Sequence, residues 1–581
     1  MKQAKGRNRL LCVLAGIVLV SLLFSMTLAS AGGPSGNGDS TIIVSLGDSY
    51  SSGEGNEDFY GYDPSSVLNT IQSEDWLAHR SEKAWAGLLT LPGVDGRMRT
   101  HRYVPGEENT NGVNWYFVAA SGATIDNINT SADNGKQNRN YYRRDGTELY
   151  FGTTALPGQL DVFYDTPGLD REEVDYVTIT IGGNDVGFFS MMVDAVNPLS
   201  GELFDRINTE LDTFYDEGGT RDKLYNAYHR IEEAAPNATI IVAGYPELFS
   251  YSGSTLGFIS RNEADFINGS VREFNRRIWK VVVECRKEGM KIEFVDVEAA
   301  FKGHQAYTKE PYIYKIYLAA QEQDCCSNEV SRYSLHPNKS GQKKYAEAVQ
   351  TRINDLERKK TQTRDTSEVK NIVLVLDSSA GTEENVLTEI RQAAGAFIDS
   401  MLAEDAAIGI VSYSTYANMK TDFSRNADYL KSAVDSIYAD SRANIYAGLE
   451  LAEEMLDGTD TSDKIIVLAD IDPADEGLLG EELLEYCESL RGKGITVYTL
   501  GGCELSGEEQ LTRFFDDTAD RINGISDRPE PAVSAETPVP AETTEKKAAV
   551  WPRIVFPSVA AVVIAATLTI ILVKKRKAGK K

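Results

Sequence analysis

The sequence predicts an α/β protein: two successive units, each a parallel sheet flanked by helices, then a stalk and one membrane-spanning helix. Three observations carry that expectation. Apolar runs of strand length alternate with helical stretches over residues 41–357 and again over 370–523, and such alternation belongs to parallel sheets covered by helices. Residues 358–369 between them are polar and read as a linker. Past residue 523 the composition shifts to Pro, Glu, Thr and Ala, so 524–549 read as a disordered stalk, and 550–573 are almost wholly apolar. A chain of 581 residues also exceeds one core, since domains run to roughly 150 residues.

In order, residues 1–31 carry Lys2, Lys5, Arg7 and Arg9, an apolar run, and Ala29-Ser30-Ala31, the form of a signal peptide with its cleavage site. An uncleaved anchor is the alternative, and either implies export. Residues 32–40 are a Gly/Ser-rich lead and 41–46 the first strand. Residues 56–140 are long, polar and aromatic, with Trp76, Trp85, Tyr103, Trp115 and Tyr116; loops of that length shape binding clefts. Strands at 174–181, 239–243 and 291–295 alternate with helices at 221–235 and 263–288, and 340–357 is a closing amphipathic helix. The second unit has strands at 371–376, 408–413, 464–468 and 495–500. The apolar 550–573 is followed by the basic tail 574–581, beginning Lys574-Lys575-Arg576-Lys577, which predicts a single-pass membrane protein with an extracellular body and a cytoplasmic tail.

A net charge of −28 argues against a nucleic-acid partner, because such binding rests on lysine and arginine neutralising phosphates. Cys12 lies in the signal, leaving Cys285, Cys325, Cys326, Cys487 and Cys503 outside, where disulfides are permitted. Cys285 with Cys325 or Cys326, and Cys487 with Cys503, are the pairings that stay within one unit, although sequence does not fix connectivity. No spacing of Cys and His suggests zinc.

The first strand runs into Gly47-Asp48-Ser49-Tyr50-Ser51-Ser52-Gly53-Glu54-Gly55. A small-residue turn at the carboxyl end of a buried strand exposes a serine hydroxyl where open α/β sheets place their chemistry. Ser49 is therefore the candidate nucleophile, and it needs a base. Three further motifs follow: Ala120-Ser121-Gly122-Ala123-Thr124, Ile181-Gly182-Gly183-Asn184-Asp185 and Ser334-Leu335-His336-Pro337-Asn338. Together the four resemble the blocks of the SGNH, or GDSL, hydrolases, most of all the secreted esterase and lipase branch, across nearly all of residues 41–357. The resemblance implies a flavodoxin-like three-layer fold with Ser49 as nucleophile and His336 as base. It also implies an oxyanion hole from the Ser49 and Gly122 amides and the Asn184 side chain, with no cofactor required.

Many members of that family carry aspartate three residues before the histidine, and here that position is Tyr333. The imidazole still needs an acceptor for its other N–H. By resemblance to some secreted relatives, the Tyr333 carbonyl is the first choice, with Asp324 and Glu329 as nearby alternatives. His304 is expected to serve as cleft wall or structural support.

Leu374-Val375-Leu376-Asp377-Ser378-Ser379-Ala380-Gly381 opens the second unit, which resembles a von Willebrand factor type A domain of Rossmann-like fold. The adhesion site of that family holds magnesium through oxygen side chains. Asp377, Ser379 and Asp470 match it, whereas Gly381 and Ala443 stand where the family has serine and threonine. With two oxygen ligands missing, the expectation is weak or absent magnesium binding.

The whole reads as a membrane-anchored extracellular esterase or lipase acting on an acylated glycan or a lipid, with a type A domain for a protein or cell-surface ligand. The alternative is a surface adhesion or assembly protein whose hydrolase unit is a scaffold.

Overall fold

The computed structural model describes residues 41–62, 73–107, 112–145, 148–188, 202–250, 259–317, 330–361, 370–379, 384–404, 406–414, 417–439, 444–457, 459, 463–469, 480–499 and 508–523. The first portion contains strands β1 (Thr41–Ser45), β2 (Val113–Phe117), β3 (Gln137–Asp145), β4 (Glu148–Leu156), β5 (Val174–Ile179), β6 (Thr239–Ala243) and β7 (Ile292–Val295). Its main helices are α1 (Thr220–Ala234), α2 (Arg261–Lys287) and α3 (Lys339–Thr361).

Five of these strands form one parallel sheet in the order β2-β1-β5-β6-β7. Counted within the sheet this is the flavodoxin-like 2-1-3-4-5 order, whose switch point lies between β1 and β5. Both faces are covered, because side chains alternate along a strand. Ile42 and Val44 enter a core with Leu224 and Ile231 of α1 and Phe274 and Ile278 of α2. Ile43 enters the opposite core with Trp85, Trp115 and Tyr345 and Val349 of α3. Ser45 on that face is satisfied by Thr178 Oγ1 and by Trp115 Nε1, each at 2.8 Å. The N-terminus of α2 is a capping box, with Ser260 and Glu263 each accepting from the other's backbone N–H.

The stretch expected to be loop from 56 to 140 contains β2, an edge strand, and the start of the antiparallel hairpin β3–β4. β2 has only five residues and its short Val-Asn-Trp-Tyr-Phe pattern is strand-like only once β1 pairs with it. Pairing rather than periodicity recruits it.

The second portion has β8 (Lys370–Asp377), α4 (Glu384–Ala403), β9 (Ala407–Tyr413), β10 (Ala417–Ser424), α5 (Ala427–Asp435) and α6 (Ile445–Asp457). β11 (Asp463–Ala469), α7 (Gly480–Gly492), β12 (Ile495–Thr499) and α8 (Glu508–Ile522) complete it. The sheet order is β10-β9-β8-β11-β12, which is 3-2-1-4-5 within the sheet, with β10 antiparallel to β9. That antiparallel edge strand was not expected from the sequence. α4, α5 and α8 pack on one face, and α6 and α7 on the other. Parallel α/β architecture holds in both portions.

The two portions lie in one contiguous unit. β10 packs against β7 and α2, so one edge of each sheet lies against the other. Lys420 on β10 reaches Glu298 at 2.8 Å, Ser424 Oγ donates to Asp355 at 2.8 Å, and Arg352 donates to the Phe423 carbonyl.

Among the described residues no helix is long and apolar enough to cross a membrane. The spanning helix at 550–573, the signal peptide, the stalk and the basic tail all lie outside them. Cys285 and Cys487 are buried and free among the described residues; Cys325, Cys326 and Cys503, the partners considered for them, lie outside those residues. Burial, reinforced by Glu288 and Glu284, pushes the Cys285 thiol up to about 12.

Candidate active site

Ser49 stands at the first position of a one-turn helix, Ser49–Ser52, directly beyond β1. Gly47 before it has φ +122°, and a Cβ there would lie 2.4 Å from the Thr180 carbonyl, so only glycine fits. Gln159 brackets Gly47, accepting from its N–H at 2.7 Å and donating to its carbonyl at 2.8 Å. Asp48 caps the helix. Its carboxylate accepts from Tyr50 N–H at 3.0 Å, Thr180 Oγ1 at 2.7 Å and the Tyr245 hydroxyl at 2.6 Å. Burial raises this carboxyl to about 6 against the lowering effect of those hydrogen bonds. Asp48 therefore holds the turn and is committed away from the histidine.

His336 lies across the pocket, and Nε2 is 2.7 Å from Ser49 Oγ. Its turn passes through Leu335 at φ +59°, a left-handed conformation that the surroundings must hold for a non-glycine residue. They do so with three hydrogen bonds. Tyr314 donates to the His336 carbonyl at 2.9 Å and accepts from Leu335 N–H at 3.1 Å, while the Tyr50 hydroxyl donates to the Leu335 carbonyl at 2.8 Å.

The acceptor for Nδ1 is the Ser334 carbonyl at 3.1 Å, which corrects the choice of Tyr333. The Tyr333 carbonyl is occupied by the backbone N–H of His336 itself, at 3.1 Å, in the turn that presents the ring. Asp324 and Glu329 lie outside the described residues. A carbonyl on Nδ1 requires the proton there, which leaves the Nε2 lone pair facing the serine hydroxyl, the tautomer of a general base. Burial lowers the His336 pKa from its ordinary value, opposed by the Glu54 charge and by the Ser334 and Arg332 carbonyls.

Glu54, from the same motif as Ser49, is buried and pairs with His79 Nδ1 at 2.7 Å. Burial alone would raise this carboxyl, but the His79 charge and hydrogen bond outweigh it and hold it at about 2. Sequence reasoning passed over this pair, although a charged residue inside a small-residue turn was a visible signal. His304 bonds the Glu310 carbonyl through Nδ1 at 2.6 Å and stacks on Tyr312, so it supports a neighbouring loop and does not line the pocket.

Asn184 follows β5, on the other side of the switch point. Gly183 N–H donates to the Tyr245 hydroxyl at 3.0 Å, tying this loop to Asp48, and Asn184 Nδ2 donates to the Ala123 carbonyl at 2.8 Å. One hydrogen of that NH₂ remains. Asp185 accepts from Ile125 N–H at 3.0 Å, so the Gly122 and Asn184 loops are laced together. Gly122 has φ +75°, and its N–H meets no acceptor among the described residues. As the first residue of its helix, Ser49 has an N–H without an intrahelical partner.

Ser49, His336, Gly122 and Asn184 line one cavity of about 290 Å³. Its lining is apolar at Phe188, Tyr245, Pro246, Leu248, Val271 and Leu335 and polar at Asn138, Arg139 and Asn140. Chemically the arrangement offers a hydroxyl, a base, and three N–H donors beside them.

In the second portion Asp377 ends β8, fully buried, and both its oxygens are engaged by Ser379, from the N–H at 2.8 Å and the hydroxyl at 3.3 Å. Asp470, Gly381 and Ala443 lie outside the described residues.

Residues 43–349 match the family model for GDSL-like lipase/acylhydrolase, and residues 371–530 that for the von Willebrand factor type A domain. A lipase from Streptomyces rimosus is 28% identical over 170 residues, covering 29% of this chain and 57% of that protein. The chain thus spans just over half the length of the curated relatives it matches. Among solved structures, a phospholipase A1 from Streptomyces albidoflavus NA297 is 22% identical with a TM-score of 0.36, covering 53% of this chain and 98% of that one. The vWF domain of the type V pili tip protein Mfa5 from Porphyromonas gingivalis is 14% identical with a TM-score of 0.23, covering 29% and 99%.

Proposed function

We propose that this chain, which belongs to the GDSL-like lipase/acylhydrolase family, hydrolyses carboxylic esters through Ser49 and His336. The observation that carries this reading is the 2.7 Å contact between Ser49 Oγ and His336 Nε2. Ser49 Oγ attacks the ester carbonyl as Nε2 takes its proton. The negative charge on the former carbonyl oxygen meets the N–H groups of Ser49 and Gly122 and the NH₂ of Asn184. Collapse breaks the ester bond, and the imidazolium returns the proton to the departing alcohol. Water then attacks the acyl-enzyme by the same route, releasing the acid and restoring Ser49.

The substrate we assign is an acylated glycan or a lipid ester with a short acyl chain. A cavity of about 290 Å³ is at the small end of ligand pockets; its apolar lining suits the acyl group and its asparagines a hydroxyl-rich alcohol. The type A domain is proposed to bind a protein or cell-surface ligand without needing a metal. The signal peptide, stalk, spanning helix and basic tail are proposed to hold the body outside the cell membrane.

Ser49→Ala should abolish hydrolysis of p-nitrophenyl acetate and labelling by a fluorophosphonate probe, with the fold intact by circular dichroism. Undiminished turnover in that variant would remove Ser49 from the chemistry. A wild-type protein inert to both reagents would favour the scaffold reading.

A further inference from the structure

The β3–β4 hairpin belongs to neither parallel sheet, yet its first strand reaches the site. Gln137 and Arg139, two apart and so on one face of β3, are both buried, while Asn138 and Asn140 between and beyond them are exposed; Asn138, Arg139 and Asn140 line the pocket. Gln137 Nε2 donates to the Ser121 carbonyl at 2.8 Å, and Arg139 Nη1 donates to the same oxygen at 2.6 Å. Arg139 is itself anchored, its Nε donating to the Leu77 carbonyl at 2.8 Å. Ser121 N–H donates to the Ala78 carbonyl at 2.9 Å, so the residue is held at both ends.

The peptide joining Ser121 to Gly122 is planar, and in the trans form its C=O and N–H point in opposite directions. Whatever fixes the Ser121 oxygen therefore fixes the direction of the Gly122 N–H. Two donors, one of them cationic, converge on that oxygen from the hairpin side, so the Gly122 N–H points away from the hairpin. That N–H has no acceptor among the described residues. Hydrogen bonds to a carbonyl also polarise its peptide, which makes the N–H at the other end a stronger donor.

From this geometry we propose that Gln137 and Arg139 are positioning residues that aim and polarise the Gly122 N–H for the acyl oxyanion, making the hairpin part of the esterase machinery. The inference rests on the proposed ester hydrolysis. Gln137 and Arg139 act through Ser121, so their removal should weaken transition-state binding and leave substrate binding nearly untouched.

The test uses the full chain with p-nitrophenyl acetate. Arg139→Met and Gln137→Leu should each lower kcat by roughly 10- to 100-fold, less than loss of a whole oxyanion donor, with KM within about threefold of wild type. Arg139→Lys, which keeps a cationic donor, should recover part of the loss. Inhibition by phenylboronic acid, which forms a tetrahedral adduct on serine, should weaken in step with kcat, a shift that a merely structural role would not produce. Unchanged kcat in either folded variant overturns the proposal, as does a rise in KM alone, which would make Arg139 a substrate contact. If Arg139→Met does not fold, the result for Gln137→Leu decides. An inert wild-type protein would instead overturn the esterase reading, and active variants beside an active wild type overturn only this one.

Discussion

Among the described residues the Nδ1 of His336 meets the Ser334 carbonyl, and the buried carboxylate Glu54 is bonded to His79; we propose that His336 acts with Ser49 as a dyad. A carbonyl fixes the tautomer but offers no full charge to stabilise the imidazolium, and burial disfavours the cation further, so the pKa falls below the ordinary 6.5. The neutral base thus persists into mildly acidic solution. The expected profile of kcat/KM for p-nitrophenyl acetate is flat from neutral pH down to about 6.5 and falls only below it. A midpoint at or above 6.5 would contradict the burial argument. The stability sign is the same: the unfolded chain takes up the proton near 6.5 and the folded chain lower, so this contribution is present above 6.5 and lost as pH falls through the folded value.

Elements place these residues through their ends. The loops after β1 and β5 flank the switch point of the 2-1-3-4-5 sheet, and the Asp48–Tyr245–Gly183 chain of hydrogen bonds connects them. The equivalent loop of the second portion, after β8, is arranged differently. There Asp377 accepts from the Ser379 N–H on one oxygen and from its hydroxyl on the other, and Gly381 in this loop and Ala443 in a later one stand where the resembled adhesion site has serine and threonine. Magnesium demands near-octahedral oxygen ligation, and we propose that the loss of two oxygen side chains from the resembled adhesion site leaves it unable to hold the ion. Titrating the protein with magnesium or manganese should therefore release no heat and leave the melting temperature unchanged. Saturable binding at micromolar metal would show that the loop rearranges to admit the ion.

For the molecule as a whole, the second portion is held through buried charge where the two sheet edges meet. The Lys420 and Glu298 side chains are only 4% and 11% exposed. Removing one partner of such a pair leaves the other charge desolvated, at a cost of about 3–5 kcal/mol, whereas replacing both with apolar groups is often neutral. Lys420→Met should accordingly lower the melting temperature markedly, and Lys420→Met with Glu298→Leu should restore much of it. An unchanged single variant would mean that water reaches the pair.

Sequence alone determined the local shapes: a glycine at Gly47 and at Gly122 where φ is positive, a serine at a strand end, a histidine in a turn before α3. Each is set by neighbours in the chain, and the family motifs record them. Tertiary structure alone decided what those shapes meet. β2 became a strand by pairing with β1, Leu335 took a left-handed turn because Tyr50 and Tyr314 hold it, and the geometry of that turn set the Ser334 carbonyl, not Tyr333's, against Nδ1. Gln137 and Arg139 reached Ser121 only once the hairpin had formed. Backbone preferences act over a few residues and can be read along the chain, whereas a hydrogen bond between distant residues exists only after the fold has brought them together.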